Sequence, residues 1–347
     1  MKAGSKKGPD NMAADTVKLA DVASAAGVAI ATASRAISNP KRVNAETRDR
    51  VLEVAQKLGY SINVAARSLR SGLSHSVMVM MPPWHSSDIF ETILHGIAAE
   101  LQRSGYNMIV GNLGSNLEAD PRTLELARGG FVDGLLAIAN EPTFGGRLSV
   151  QSVKVPTVGL LQDLSQYGLP SVVSDDRNAV FELTSAMLDA GRRRFMYVSG
   201  PKGDYHDVER YAGFKKALSL VPELPKPTRY DGDWSYDSGV KAARAFLELS
   251  RQERPDAAIF SSDRMAISFI DTVCRAGVKV PEEVAVCGFD GIDVAQFCRP
   301  SLTTIEQSWE LLGAFSARLL VKLIRGENMG NNAAVVVPTR LIRRESF

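Results

Sequence analysis

Four histidines and three cysteines are the first residues to weigh for chemistry, and their spacing argues against most of it. His75, His85, His95 and His206 are scattered, with no metal-ligand spacing. Cys274, Cys287 and Cys298 are odd in number and form no CxxC, so they read as free thiols in a reducing cytoplasm. No phosphate-cradling GxxxxGKS/T, no GxSxG and no HExxH is present. Asp175-Asp176 is an acidic pair, but adjacent side chains diverge, so it reads as helix capping before Asn178 rather than acid–base work. His95 falls close to the apolar face of an amphipathic helix carrying Ile89, Ile93, Ile97 and Leu101, and reads as packed. No cofactor and no metal site is expected, and the chain reads as a non-enzyme. Two alternatives stay open, because an α/β fold excludes neither: a sugar- or nucleoside-processing enzyme, which turnover would reveal, and a secreted solute-binding protein.

Bulk properties narrow the classes further. At 347 residues, 45% hydrophobic and 23% charged, the chain has the composition of a soluble globular protein of two or three units. Its longest apolar stretches, such as Val77–Trp84, fall well short of the roughly 18–20 residues of a membrane span. The opening MKAGSKKGPDNMAADTV lacks the apolar core of about 7–15 residues that a secretory signal carries, so a cytoplasmic location is expected. The net charge of +2 conceals an asymmetry. Residues 1–72 hold 12 Lys and Arg against 6 Asp and Glu, whereas the remainder holds 29 against 33. A small basic head on a mildly acidic body points to a polyanionic partner for the head.

Three short helices can be read in that head. Leu19, Val22, Ala23 and Ala26 follow an i, i+3, i+4, i+7 pattern that Gly27 ends. A second segment runs from about Ala29 to Ile37, stopped by Asn39-Pro40. The third starts at Asn44, a good N-cap, and carries Val51, Val54, Ala55 and Leu58 on one face before Gly59. This is a helix-turn-helix arrangement, whose second helix can lie in the major groove of DNA. In the body, strand-length apolar runs at Ser76–Met81, Asn107–Val110, Gly134–Ala139, Thr157–Leu161, Phe195–Val198, Ala257–Phe260 and Val284–Phe289 alternate with amphipathic helices. Such alternation predicts two parallel sheets with helices on both faces.

The segments LADVASAAGVAIATASRAIS, RVNAETRDRVLEVAQKLGY and NVAARSLRSG, in that order, resemble the head of the lactose/galactose-repressor family of bacterial transcription regulators. ERYAGF (209–214), GDWSYDSG (232–239), SSDRMAI (261–267), VAVCGFD (284–290) and PSLTTIEQ (300–307) extend the resemblance over nearly the whole chain. It implies an all-α helix-turn-helix head with a hinge helix, followed by a two-lobed α/β core like that of a periplasmic sugar-binding protein. The expected divisions are a disordered tail (1–15), the helix-turn-helix domain (16–60), the hinge and linker (61–73) and the effector-binding core (74–347). Lobe 1 would take about 74–172 and 303–333, and lobe 2 about 173–302 and 334–347. The implied function is a ligand-controlled repressor that binds a near-palindromic operator in double-stranded DNA as a homodimer, away from membranes.

Residue roles follow position by position from the resemblance. Ile30 and Ala31 open the recognition helix, where they can touch thymine methyls or simply pack; Arg35 matches a position that reaches guanine O6 and N7. Thr32, Ser34 and Asn44 match phosphate contacts. Lys18 departs from the family's usual threonine-type cap, leaving the cap of the first helix unidentified. Asn63 to Leu69 matches the hinge helix, with Leu69 the apolar wedge of the minor groove and Ala66 its small neighbour; Ile62 replaces a common proline. In the core, ligands of open parallel sheets bind beyond the carboxyl ends of strands. Asp290, just past such an end, can accept from two hydroxyls, Arg210 offers a fork of donors and Trp234 a flat apolar face. Each matches an effector-touching position, though each also has a plain structural reading as turn, ion pair or core. Ser262 stands where many relatives have asparagine, and one of Leu161 and Gln162 where many have aspartate. Phe90 and Gln307 are the remaining candidates for the wall of lobe 1. The effector expected is carbohydrate-like or a nucleoside.

Overall fold

The computed structural model describes residues 17–61, 72–81, 88–112, 121–138, 155–327 and 334–347. The chain divides into two units, Met1–Gly72 and Leu73–Phe347. The expected tail and the hinge residues Asn63, Ala66 and Leu69 lie outside the described residues.

The head holds α1 (Leu19–Ala25), α2 (Ile30–Ser38) and α3 (Ala45–Lys57) around a small core of Val22, Ala23, Ala26, Ala33, Ala36, Val51 and Ala55. Mostly alanines, these side chains let the helix axes approach closely but bury little apolar area, so the head's stability margin is small. Gly27, at φ +65°, makes the turn between α1 and α2 in a conformation that other residues rarely take. Asn44 caps α3 by accepting the Thr47 N–H at 2.8 Å. The unidentified cap of α1 resolves into half a capping box: the Asp21 carboxylate accepts the Lys18 backbone N–H at 2.8 Å, and the lysine side chain, having no acceptor, takes no part.

The body forms two six-stranded sheets. The first has the order β11-β5-β4-β3-β1-β2, built from β1 (Ser76–Met81), β2 (Asn107–Asn112), β3 (Gly134–Ala137), β4 (Thr157–Leu160), β5 (Ser171–Ser174) and β11 (Val335–Val337), all parallel. The second has the order β12-β10-β9-β8-β6-β7, built from β6 (Phe195–Val198), β7 (Thr228–Tyr230), β8 (Ala257–Phe260), β9 (Ala285–Asp290), β10 (Thr303–Glu306) and β12 (Arg340–Ile342). Among the described strands only β12 runs antiparallel, on β10. Helices α4 (Asp88–Ser104), α5 (Pro121–Arg128) and α10 (Trp309–Ile324) accompany the first sheet, and α6 (Asp176–Asp189), α7 (Tyr205–Leu218), α8 (Tyr236–Glu248) and α9 (Asp263–Arg275) the second.

Period-two alternation explains why both faces need helices. In β1, Val77, Val79 and Met81 pack with Ile93, Ile97, Leu312 and Leu320, while Met78 and Met80 pack the opposite way with Ala127, Leu135 and Leu164. In β6, Met196 and Val198 join α8 and α9, and Phe195 and Tyr197 join α6 and α7. The expected fold class is the one observed.

Several expectations need correction. β3 stops at Ala137 and β4 at Leu160, because Leu161 turns to φ +73°; β9 starts one residue later than expected and includes Asp290. Strands β5, β7, β10, β11 and β12 are additional to the expected runs. The chain changes sheet three times, after β5, β10 and β11, a few residues beyond the expected Val172, Thr303 and Ala334. Thr303–Glu306 therefore belongs to the second sheet and Val335–Val337 to the first. His95 is exposed on α4 beside Glu310 rather than packed. Among the described residues, no helix is long and apolar enough to cross a membrane.

Helices α4 and α10 meet through glycine. A Cβ on Gly96 would strike the Glu310 backbone carbonyl. Gly96→Ala is expected to cost about 1–3 kcal/mol by overpacking, read as a lower urea midpoint for the core transition. Exposed Glu91→Ala should leave that midpoint unchanged.

Candidate functional site

In the head, the faces of α2 separate cleanly. Ala33 and Ala36 point into the core, whereas Ile30 (55% exposed), Ala31 and Arg35 are exposed. An isoleucine left in water at a helix start has no packing role, so the reading of Ile30 and Ala31 as mere core does not hold. Arg35 donates its Nε–H to the Ala31 carbonyl at 3.2 Å, which commits one edge of the guanidinium and leaves the terminal nitrogens pointing onward. Thr32 and Ser34 are half-buried on the flanks, and the Ser34 carbonyl accepts the Ser38 hydroxyl. Asn44 uses its carbonyl oxygen in the α3 cap.

In the core, two independent observations converge on the carboxyl ends of the strands. The first is backbone strain. Among the described residues, four non-glycines have positive φ: His75, Leu161, Trp234 and Asp290. The last three follow or end β4, β7 and β9, and such strain concentrates where a site over-determines the backbone. The second is unsatisfied polarity. Among the described residues, the buried polar side-chain atoms lacking a partner are Gln162 Oε1, Ser199 Oγ, Ser262 Oγ and Gln307 Oε1. They follow β4, β6, β8 and β10 by one or two residues. A buried orphan costs about 1–3 kcal/mol, so four at one end of the sheets make that end the candidate place for a polar ligand. Burial, then Glu209, Asp176 and Asp163, the last beside Gln162, raise the Tyr205 hydroxyl of α7.

At the centre sits Arg210, 3% exposed, from α7. Its guanidinium lies 3.7 Å over the Phe289 ring and 5.6 Å from that of Trp234. Nε donates to Asp176 at 3.3 Å, and Nη1 donates to the Ser261 carbonyl and stands 3.7 Å from Asp290. Trp234 in turn rests on Gly200, where any Cβ would strike the indole. Asp207 fixes that turn, accepting the Gly200 N–H at 2.8 Å and the Ser261 hydroxyl at 3.0 Å. Asp290, at φ +123°, is held from both sides. Gln307 donates Nε2–H to its carboxylate and Trp309 donates Nε1–H to its carbonyl, both at 3.1 Å. Asp263 accepts the next two backbone N–H groups, of Gly291 and Ile292, at 2.8 and 2.9 Å.

Arg210, Trp234, Asp290 and Gln307 are thus brought together, with Ser262 and Gln162 at neighbouring strand ends. Leu161 supplies the positive-φ turn that precedes Gln162. Phe90 is half-buried and packs against the first lobe's core. Residues missed from the sequence are Asp176, His206, Ser199, Asp263 and Trp309. The capping role expected for Asp175-Asp176 is not taken: Asp175 makes no side-chain cap bond, and Asp176 turns inward to Ser174 at 2.6 Å and His206 Nδ1 at 2.7 Å. Burial pushes the Asp176 carboxyl up, but Arg210 and then His206 outweigh it and hold it down at about 2. Asp290 goes the other way. Burial raises it to about 6 against the pull of Arg210, with Asp176 adding to the rise. Burial and then Asp290 hold Asp263 well above the usual carboxylate range.

Residues 18–63 match the family model of bacterial regulatory proteins, lacI family, and residues 184–347 that of the periplasmic binding protein-like domain. The catabolite control protein A of Priestia megaterium is 31% identical over 333 residues, 95% of this chain and 99% of that protein. The HTH-type transcriptional repressor CytR of Escherichia coli K12 is 29% identical over 324 residues, 93% of this chain and 94% of that protein. The solved complex of the transcriptional regulator CelR with cellobiose superposes with a TM-score of 0.68 at 29% identity, covering 95% of this chain and all of that one. None of the three bears an enzyme's name.

The two carboxyls set opposite pH dependences. Asp290 in the folded core binds its proton more tightly than at its ordinary value of 3.8. Its contribution to stability is therefore fully present below about pH 4 and is lost as pH rises through about 6. Asp176 contributes stability that persists until pH falls below about 4 toward 2. The core is expected to melt at a higher temperature at pH 5 than at pH 7.5, and Asp290→Asn should flatten that slope. A wild-type Tm that is level or rising from pH 5 to 7.5 would contradict the assignment.

Proposed function

This chain belongs to the lacI family of bacterial regulatory proteins, and from that premise we propose that it is a cytoplasmic homodimeric repressor. It reads a near-palindromic operator through α2 and releases or tightens on it according to a sugar, sugar derivative or nucleoside bound between the lobes. The carrying observation is that one chain joins an outward-facing Ile30-Ala31-Arg35 surface to a core whose orphaned polar atoms gather at the strand ends. Ile30 and Ala31 meet thymine methyls, Arg35 a guanine edge, and Thr32, Ser34 and Asn44 phosphates. Asn63, Ala66 and Leu69 are assigned to the hinge on resemblance alone. Two-fold symmetry of the protein matches two half-sites, and the basic head supplies the sequence-independent part of the affinity. Arg210, Trp234, Asp290, Gln307, Ser262 and Gln162 hold the effector. A ligand changes operator affinity only through its differential affinity for the two states of the protein, and such couplings run about 1–3 kcal/mol.

With an operator selected from random duplexes, affinity is expected to fall steeply with salt, and Arg35→Ala to cost about 1–3 kcal/mol while relaxing one base position in each half-site. Equal loss on cognate and random DNA would make Arg35 a phosphate contact. For any sugar, sugar acid or nucleoside that raises the Tm, titration with and without saturating operator should give different dissociation constants. Arg210→Ala and Asp290→Ala should remove that difference and leave basal operator binding near wild type. Equal constants in the wild type would refute regulation through this site.

A further inference from the structure

The exposed face of α2 limits which features of a base pair it can read. Ile30, 55% exposed, and Ala31 open the helix, and the N-cap before them, Ala29, is also exposed and forms no side-chain cap bond. None of these three side chains carries a donor or an acceptor. One turn on, exposed Arg35 gives its Nε–H to the Ala31 carbonyl, and Ser38 gives its hydroxyl to the Ser34 carbonyl. Thr32 and Ser34 only flank this face, half-buried. The helix, IATASRAIS, holds no carboxylate to accept from the N4 amino group of cytosine, as Glu and Asp do. Exposed Lys41 and Arg42 follow it, so the apolar spot has a cationic border suited to a phosphate-lined groove. On the major-groove edge, the apolar group available to Ile30 and Ala31 is the C5 methyl of thymine. 5-Methylcytosine carries the same methyl in the same place, beside an N4 donor instead of an O4 acceptor. Side chains without polar atoms gain the same contact from either base and bond neither O4 nor N4.

We infer that Ile30 and Ala31 read the pyrimidine C5 methyl group itself, so that 5-methylcytosine replaces thymine there, whereas uracil and unmethylated cytosine do not. Cytosine methylation of DNA then strengthens a half-site that carries cytosine at that position. This inference rests on α2 being the DNA-reading helix, and it names the chemical group that the start of that helix recognises. Ala31 and Arg35 are about one helical turn apart, roughly 6 Å along the axis. The methyl-read pair therefore lies within about three base pairs of the guanine that Arg35 meets.

The test uses operator duplexes selected from a random library by the full-length protein. Each thymine is replaced, in both half-sites together, by deoxyuridine, deoxycytidine or 5-methyldeoxycytidine, with guanine opposite the last two, and affinity is read by fluorescence anisotropy. Within that distance of the Arg35 guanine, uracil should bind about tenfold more weakly than thymine, roughly threefold for each methyl lost. Cytosine should bind at least as weakly as uracil, and 5-methylcytosine should return to within about threefold of thymine. Ile30→Ala should shrink the thymine-over-uracil ratio. Ile30→Gln, whose amide can pair with adenine N6 and N7, should abolish it and select a different base. Both changes fall on exposed surface, and unchanged far-UV circular dichroism verifies that both variants are folded. A selected operator without thymine at that distance, uracil equal to thymine throughout, or a ratio untouched by both variants would each overturn the inference. So would 5-methylcytosine binding no better than cytosine, which would show that O4 is read instead. In all four cases, relaxation of a base position by Arg35→Ala keeps α2 as the reading helix. If no duplex is selected over random DNA, the DNA-reading assignment fails together with the inference.

Discussion

Arg210 is the charge around which the core is organised. A guanidinium taken out of water is tolerable only if its nitrogens are paired, and removing one partner from such a pair typically costs about 3–5 kcal/mol. Here each partner arrives from a different element: Asp176 from the start of α6, Ser261 from the end of β8, Asp290 and Phe289 from β9, and Trp234 from the turn before α8. One side chain therefore fixes the register of four segments at the carboxyl end of the second sheet's parallel strands. The Asp176–His206 bond adds the first turn of α7 to the same network.

The strained residues show what that network must hold in place. Asp290 lies in a backbone region that only glycine enters freely, and no single bond keeps it there. Gln307 and Trp309, on the segment leading into α10, bind its side chain and its carbonyl, while Asp263 binds the two residues that follow. Because α10 packs with the first sheet, the geometry of the Asp290 carboxylate is referred to both lobes at once. A group held that way is well placed to report lobe movement, since displacement of α10 changes the bonds that define its conformation.

The head's helices, the parallel-sheet class and the grouping of Arg210, Trp234 and Asp290 were legible because each depends on local pattern or on matched motif residues. What escaped has identifiable physical reasons. Strand β10 reads Thr-Thr-Ile-Glu, yet Thr303 and Thr304 are fully buried because Ser346, Arg344 and Asp263 complete their hydrogen bonds across more than forty residues of sequence. In sequence Asp176 has only Asp175 beside it, whereas its partners His206 and Arg210 lie thirty and thirty-four residues away. His95 sits on a helix whose buried stripe is Ile93, Gly96, Ile97 and Leu101, and it faces away from that stripe. Ser199 carries no sequence signal; only its burial without a partner brings it forward.

The three passages of the chain between sheets also bear on how the protein is made. The first sheet receives β1 to β5 early, yet α10 and β11 reach it only after the entire second sheet except β12 has been synthesised. At bacterial ribosome speeds of about 5–20 residues per second, the interval between β5 and β11 is roughly 10–30 s. Until α10 is made near the end of that interval, Val77, Val79 and Met81 lack the apolar cover that Leu312 and Leu320 later provide. The head, local in its contacts, can fold while this happens. A nascent chain thus carries a complete DNA-reading module on an unfinished body, and a product cut short before residue 309 keeps that module with no way of closing the first lobe.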